Sequence, residues 1–469
     1  MSATPASASA TRKVIPIIPY SVKGRYRNRK TAIALLAFAV FFSLPWLTWH
    51  GNARSGQPLL FDIAHSRFDF FDIVLFPQDL MVFVVAMVFA ATFLFMSAAL
   101  YGRIFCGFFC FQTVWTDAFR AIERLVQGEA QARIRLRKQP WAVEKIIRLA
   151  LTHALWLAFA FATALTFTLY FAEARTLAGQ LIDGQAPLAA YACIIVLTAT
   201  TYVAAGLARE DICRVACPYG KFQSVMQDLM TRTVVYDEAR GERSLGRIAS
   251  SKGLKELADR ATQGYGDCVD CGYCVNVCPT GVDIRKGFQI DCISCGLCID
   301  ACDNIMQALK QPPGLIQFRQ MPQQTQAVDG ALPGQGFKRY GYLTILVICL
   351  GLLAYQLNHL EPYSATIQQQ AQPLATRLAN GDLRSRYVVR LSNKHSEREC
   401  YRVTVEGMPA RTAGAACFEV PAGKTYTYVL NVVLAEEQAR RTRHITVSVT
   451  PASQPAARCE YRLGYVSVL

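Results

Sequence analysis

The stretch "DCVDCGYCVNVCPTGVDIRKGFQIDCISCGLCIDAC", residues 267–302, carries two runs of C-x2-C-x2-C-x3-C. The first is Cys268, Cys271, Cys274 and Cys278; the second is Cys292, Cys295, Cys298 and Cys302. Three thiolates from a tight loop and one from further off can aim at a single point, as a [4Fe-4S] cube requires. A zinc site would more usually show two C-x2-C pairs across a longer gap. Two other pairs stand apart from these runs. Cys106 and Cys110 lie in "GRIFCGFFCFQTVW", Cys213 and Cys217 in "REDICRVACPYGKFQSV", and each pair closes a long apolar run. If the helices continue through them, thiols four apart share a face, and four thiols converge between two helix ends. Three chemistries are open to such a group. It suits a soft ion such as Cu(I), a redox dithiol, which needs a lowered thiol pKa and access, or a further iron–sulfur centre.

The elements that hold these cysteines read as membrane helices. The chain has 469 residues, of which 52% are hydrophobic. A bilayer core takes about 20 apolar residues as a helix. Five charge-free runs of that length occur, at residues 31–49, 80–102, 149–172, 184–208 and 340–360. Basic residues crowd before the first run, from Arg12 to Lys30, and between the second and third, from Arg120 to Arg148. The intervening outer loops hold only Arg54, Arg67 and Arg175. The positive-inside rule then puts the N-terminus and residues 209–337 in the cytoplasm and the C-terminus outside. Much of the net charge of +15 is thereby a topology signal and an inner-leaflet contact, and a nucleic-acid partner is not needed to explain it. A reducing cytoplasm also disfavours disulfides among the cysteine runs.

The expected organisation is a multi-domain membrane protein with a five-helix transmembrane bundle. A basic cytoplasmic N-terminus covers residues 1–30 and four helices fall within 31–208. A cytoplasmic region at 209–337 carries a two-cluster module at about 260–310, and the fifth helix lies within 338–360. Residues 361–383 read as a polar linker. Short alternating runs separated by turn residues over 384–469 read as a β-sandwich. Cys400, Cys417 and Cys459 fall in this outer domain, where one disulfide has three pairings and leaves one thiol over. Cys193 and Cys349 lie inside spans and read as packing residues. His50 and His359 sit at the outer ends of spans and read as interfacial, while His153 in the third span is open to a haem, copper or quinone role. Residues 132–150 read as a basic interfacial helix entering span three. Residues 1–20 and 311–336 read as flexible.

Two resemblances extend this reading. The cysteine runs resemble bacterial two-cluster ferredoxins, in which the fourth cysteine of each run serves the other cluster. That implies one cluster on Cys268, Cys271, Cys274 and Cys302 and another on Cys278, Cys292, Cys295 and Cys298. Pro279 follows the first run as in those ferredoxins; Asp303 stands where the second proline would be. The whole chain resembles the FixG/RdxA/CcoG family of cytochrome c oxidase accessory proteins. The motifs are "GRIFCGFFCFQTVWTD", "REDICRVACPYGKFQSVM" and the cysteine runs on five spans with a C-terminal β-domain. The resemblance implies a bacterial inner-membrane iron–sulfur oxidoreductase and an Ig-like outer domain. Its activity would be that of a cupric reductase, turning Cu(II) into Cu(I) for a cbb3-type oxidase, with oxidase subunits and copper chaperones or transporters as partners. Cys106, Cys110, Cys213 and Cys217 would then be copper-proximal or redox thiols. Two other functions share the layout: a quinol-linked electron-transfer subunit of a respiratory reductase, and a non-catalytic assembly scaffold. Phe111 departs from the family, whose first pair ends in Cys-Pro as Cys217-Pro218 does; the departure predicts a weaker helix break after Cys110.

Overall fold

A computed structural model of the chain describes residues 18–50, 55–63, 66–227, 230–248, 263–320, 335–360, 363–370, 375–379, 381–394, 397–406, 411–413, 417–421, 423–453 and 458–465. Five helices are long and apolar enough to cross a membrane: Arg25–Trp46, Pro77–Tyr101, Val143–Leu169, Leu188–Ala208 and Lys338–Asn358. The first and third begin six residues before their charge-free runs, because Arg25, Lys30 and Lys145 are taken into helix rather than bounding it. Lys30 is buried at 3% exposure. The region 132–150 is not one helix. Ala130–Lys138 ends at Gln139, and Val143 starts the next helix, since Pro140 cannot continue the first.

The chain divides into two units, the first made of residues 1–39, 90–164 and 192–346, the second of 40–89, 165–191 and 347–469. In the first unit the cysteine-rich module is flanked by the antiparallel pair Arg232–Tyr236 and Ile316–Gln320. This strand corrects the reading of 311–336 as flexible. Its Ile316 is buried at 1% exposure beside Val234 and Met306, a core role that the surrounding Gln and Pro residues mask. Leu315 is buried, Tyr20 is hydrogen-bonded to Asn276 and Gln335 starts the last long helix, while residues 1–17 and 321–334 of the flexible reading lie outside the described residues.

The module is stitched to the start of the first long helix. Asp300 accepts hydrogen bonds from the backbone N–H of Tyr26 (3.1 Å) and Arg27 (2.8 Å), so a buried carboxylate caps that helix from another part of the chain. Such an anion satisfies orphan N–H groups and complements the helix dipole. Gly24 makes room for it, since a Cβ there would lie 2.3 Å from Asp300 Cγ. Tyr20 N–H to Asn276 O (2.9 Å) and Asn304 Nδ2 to Lys23 O (2.8 Å) continue the seam. Asp300→Ala is expected to lower stability by about 2 kcal/mol, the scale of a charged hydrogen bond, and to lower the midpoint of a helix melt followed by circular dichroism.

The second unit holds a small antiparallel meander, Leu59–Asp62, Arg67–Phe70 and Ile73–Leu75, and a β-sandwich. One sheet runs Arg411–Ala413, Thr425–Leu434, Leu383–Asn393, Tyr363–Gln369, with Thr376–Arg377 also on Leu383–Asn393; the other runs Phe418–Val420, Glu399–Glu406, His444–Pro451, Cys459–Gly464. Its core is built on wholly buried Tyr363, Tyr387 and Tyr401 with Val389, Val432 and Val447. The linker expected at 361–383 is therefore corrected in part. Tyr363–Gln369 pairs along Tyr387–Asn393, with Tyr363, Ala365 and Ile367 turned into the core. Every second residue is apolar, the strand period, and the Gln-rich setting obscures it. Cys400 and Cys417 form the disulfide, with Cα atoms 5.7 Å apart, which selects one of the three pairings and leaves Cys459 outside it. His50 pairs with Ser55 in a short exposed ribbon. His359 stacks on Tyr355 at 4.2 Å.

Candidate functional site

The repeat in sequence becomes a repeat in backbone. Asp270 and Ser294 occupy matching positions and both have positive φ, 46° and 52°. Gly272 and Gly296 follow in the left-handed region and lead into the helices Tyr273–Asn276 and Leu297–Ala308. At Gly296 the requirement is also steric: a Cβ would meet the Tyr26 ring at 2.7 Å. Each run thus turns tightly through its first cysteines; the fourth lies just past the helix Tyr273–Asn276 in the first run (Cys278) and on the helix Leu297–Ala308 in the second (Cys302). The result is two cavities. One is lined by Cys278, Cys292, Cys295 and Cys298 with Val234, Val282 and Ile284. The other is lined by Cys268, Cys271, Cys274 and Cys302 with Tyr236, Met306 and Leu315. Asp303, in place of a proline, accepts a hydrogen bond from Gly314 N–H at 2.8 Å and closes the loop behind the second run.

Each quartet lines a largely apolar space. Burial pushes Cys274 up to about 11 and Cys292 up to about 12, and it raises Cys295, Cys298 and Cys302 as well. Selected dipoles and cations oppose this. The Ser294 N–H favours the Cys292 thiolate and the Leu297 N–H the Cys295 thiolate; Arg103, Lys30 and Arg285 favour those of Cys292, Cys295 and Cys274. Thiolates appear in such a setting only against strong local positive charge, as iron supplies. Among the described residues no three His, Cys, Asp or Glu side chains close tightly enough to hold a single metal ion. The two quartets surround wider spaces, and four sulfur donors around an apolar space fit a polynuclear cluster.

The two outlying thiol pairs share one local fold. Cys106 sits in the turn Ile104–Phe108, and Cys110 is the extended residue (ψ 130°) that starts the helix Phe111–Gln127. Cys213 sits in the π-helical turn Ile212–Ala216, and Cys217 (ψ 112°) starts the helix Pro218–Met226. The helices do not continue through the pairs, as a shared-face reading required; each chain breaks at the second cysteine. The break after Cys110 is as sharp as its counterpart despite the missing proline, correcting the expectation at Phe111. The Phe111 ring stacks on Trp115 one turn on, centroids 3.8 Å apart, and this pair secures the helix start.

The pairs converge nonetheless. Arg103, ahead of the Cys106 turn, and Cys213 O both lie against Gly220, in the helix that Cys217 starts, so the two thiol loops meet there. Burial pushes Cys106 up to about 11 and Cys213 up to about 12.

The turn at Cys106 rests directly on the second cysteine run. A Cβ on Gly107 would lie 2.7 Å from Ile293 O and 3.0 Å from Cys295 Cα. Cys106 shares an apolar cluster with Ile293, Cys295 and Leu297, and its Sγ donates to Gln223 Oε1 at 3.1 Å. Arg103, 4% exposed, donates to Ile290 O ahead of Cys292. Arg214 reaches Asp291 at 3.4 Å from the other thiol loop. Asp267, the counterpart of Asp291 in the first run, binds Arg240 at 2.7 Å. Sequence reasoning missed Arg103, Gln223 and Arg214. Arg103 and Gln223 flank the two C-x3-C pairs and Arg214 lies inside the second, and that placement was the available signal.

Comparison with known proteins agrees with this architecture. Residues 208–321 match the family of 4Fe-4S dicluster domains and residues 353–463 match the Ig-like fold at the C-terminal of FixG. Protein RdxB of Cereibacter sphaeroides is 35% identical, the match covering 91% of this chain and 90% of its own. Nitrogen fixation protein FixG of Rhizobium meliloti is 34% identical, over 85% of this chain and 81% of its own. A crystal structure of a FixG-related protein from Vibrio parahaemolyticus overlaps 24% of this chain and all of its own, at 12% identity and TM-score 0.20.

Proposed function

The chain belongs to the FixG/RdxA family, and on that premise we propose that it passes electrons through two [4Fe-4S] clusters to Cu(II). The Cu(I) formed would serve assembly of a cbb3-type cytochrome c oxidase in the bacterial inner membrane. In this reading Cys268, Cys271, Cys274 and Cys302 hold one cluster, and Cys278, Cys292, Cys295 and Cys298 the other. Bound there, the clusters supply one-electron redox capacity at potentials set by nearby charge and hydrogen bonds. The protein's own part is positional. Arg103 and Lys30 lie near the second quartet and Arg285 near the first, where their charge offsets that of the thiolates. Cys106, Cys110, Cys213 and Cys217 form a sulfur-rich patch that favours the monovalent over the divalent copper ion. The four thiols are not drawn into one closed coordination sphere, which suits an ion in transit rather than a structural one.

The observation that carries the reading is the contact of the Cys106 turn with the loop Ile293–Cys295. It sets the Cys106 turn directly against the second cysteine run. The charge pattern of the loops supports a cytoplasmic side for both. Oxidase subunits and copper chaperones or transporters are the proposed partners.

Dithionite-reduced, cluster-loaded protein is expected to convert Cu(II) to Cu(I), read anaerobically with a Cu(I)-specific chelator. The double variants Cys106→Ser/Cys110→Ser and Cys213→Ser/Cys217→Ser should each keep the cluster spectrum but lose at least about tenfold in rate, a modest misplacement effect. Absence of Cu(I) with wild-type protein sinks the copper reading. Unimpaired oxidase in a strain whose protein lacks the cluster cysteines would favour a scaffold.

A further inference from the structure

The fourth long helix changes character before it ends. Tyr202–Ala208 is wound as a π-helix and stops at Arg209, a non-glycine residue at φ 47°. π-turns and left-handed non-glycine residues cost stability and concentrate at functional sites. Arg209 is held in this state by Glu123 and lies over the Trp156 ring at 5.4 Å. Beside it opens a cavity of about 710 Å³, lined by His153, Trp156, Glu123, Arg209 and Thr280 among others. Its size is that of a small-molecule site. Thr280 also lines the cavity of the second cysteine quartet, and its Oγ1 is 3.4 Å from Cys278 Sγ. One residue is therefore common to both walls.

From this we infer that the cavity is a quinone-binding site: it takes the headgroup of a membrane quinol and lies next to the second cluster position. Three features of the lining select that chemistry. His153 and Trp156 belong to a helix long and apolar enough to span a membrane, so the ligand can be lipid-soluble. Trp156 offers an aromatic wall for a planar ring. His153 Nδ1 is 2.8 Å from Tyr202 Oη, and a hydroxyl can donate or accept. The imidazole can therefore present Nε2 as an acceptor to a hydroquinone O–H or as a donor to a quinone carbonyl, with Tyr202 compensating in each case.

The balance is simple. A hydroquinone becomes a quinone by losing two protons and two electrons. With clusters bound at the two quartets, the electrons would leave one at a time by the side of Thr280 and could serve two Cu(II) ions per hydroquinone. One proton is taken by His153 Nε2 and passed to solvent before the second follows. This rests on the electron-carrier part of the proposed function and not on copper as acceptor.

The test uses full-length, cluster-loaded protein in phosphatidylcholine vesicles and an azido-ubiquinone probe. Illumination is expected to label peptides containing His153 or Tyr202–Arg209, and excess decylubiquinone should suppress the label. In stopped flow, decylubiquinone should reoxidise dithionite-reduced protein with saturation kinetics. His153→Leu should slow this at least about tenfold, on the scale of a lost general acid–base group, here the proton donor to the quinone, with the cluster spectrum and reoxidation by Cu(II) unchanged. Tyr202→Phe, which removes one hydroxyl, should slow it less while still labelling. Labelling elsewhere, unchanged saturable reoxidation in His153→Leu, or displacement of the probe by phosphatidylglycerol but not decylubiquinone would overturn the proposal. Failure of Cu(II) reoxidation with the quinone reaction intact would instead sink the copper reading alone.

Discussion

Replacing Cys278 by serine is expected to remove the cluster of Cys292, Cys295 and Cys298 and to spare that of Cys268, Cys271 and Cys274, its own neighbours in sequence. Cys302→Ser should do the opposite. The grounds are the two cavities, in which the fourth cysteine of each run lines the space of the other run. Serine keeps the size of the side chain and replaces the soft donor by a hard one, poorly matched to iron–sulfur chemistry. Each single variant should therefore lose half its iron and acid-labile sulfide. Electron paramagnetic resonance of the reduced protein should show one remaining signal, a different one in each variant. If Cys278→Ser instead abolishes the signal that Cys271→Ser abolishes, each run serves its own cluster and the assignment is wrong. Electron delivery should fall most in Cys278→Ser, because its quartet includes Cys295, against which the Cys106 turn packs.

Gly107→Val should separate cluster integrity from electron delivery. It removes no thiol and no cluster ligand, yet its side chain points at backbone: Ile293 O at 2.7 Å and Cys295 Cα at 3.0 Å from the Cβ position. Backbone of a cluster loop cannot give way as a flexible side chain can, so the Ile104–Phe108 turn must move. A shift of about 1 Å can cost on the order of a hundredfold in a reaction that depends on positioning. Cu(II) reduction should fall on that scale while iron content stays at the wild-type level. Gly107→Ala should fall between the two. Full activity in the valine variant would show that the thiol turn is not on the electron path.

The elements that sequence made legible are those with a strong local signal. Five apolar runs reveal five helices because their length has one physical explanation, and eight cysteines at fixed spacing reveal two quartets. The ends of the helices were less legible. Lys30 and Lys145 look like boundaries until both are found buried; a run of carbonyl oxygens holds the second, Lys145 Nζ donating to Arg137 O and Gln139 O. Tyr363–Gln369 was hidden by composition, its period of two lying under three glutamines at the start of a polar stretch. The surroundings of the thiol pairs could not be read at all. Cys106 meets Gln223 across 117 residues and Arg103 meets Ile290 across 187, and no local pattern encodes such a meeting. Phe111 shows the converse: a missing proline looked like a weaker break, and stacking on Trp115 supplied the same outcome by other means.

The carboxylate of Asp300 that holds the start of the first helix lies 274 residues further along the chain from Tyr26. A ribosome adding about 5–20 residues per second needs on the order of tens of seconds to cover that distance. During that interval the first membrane segment has entered the bilayer with its leading turn unsealed. Asp300 itself lies between Cys298 and Cys302 on the helix Leu297–Ala308, so the helix that seals the turn also carries a cysteine of each quartet. The start of the first membrane helix is therefore capped only late in biogenesis, by a part of the chain made long after it.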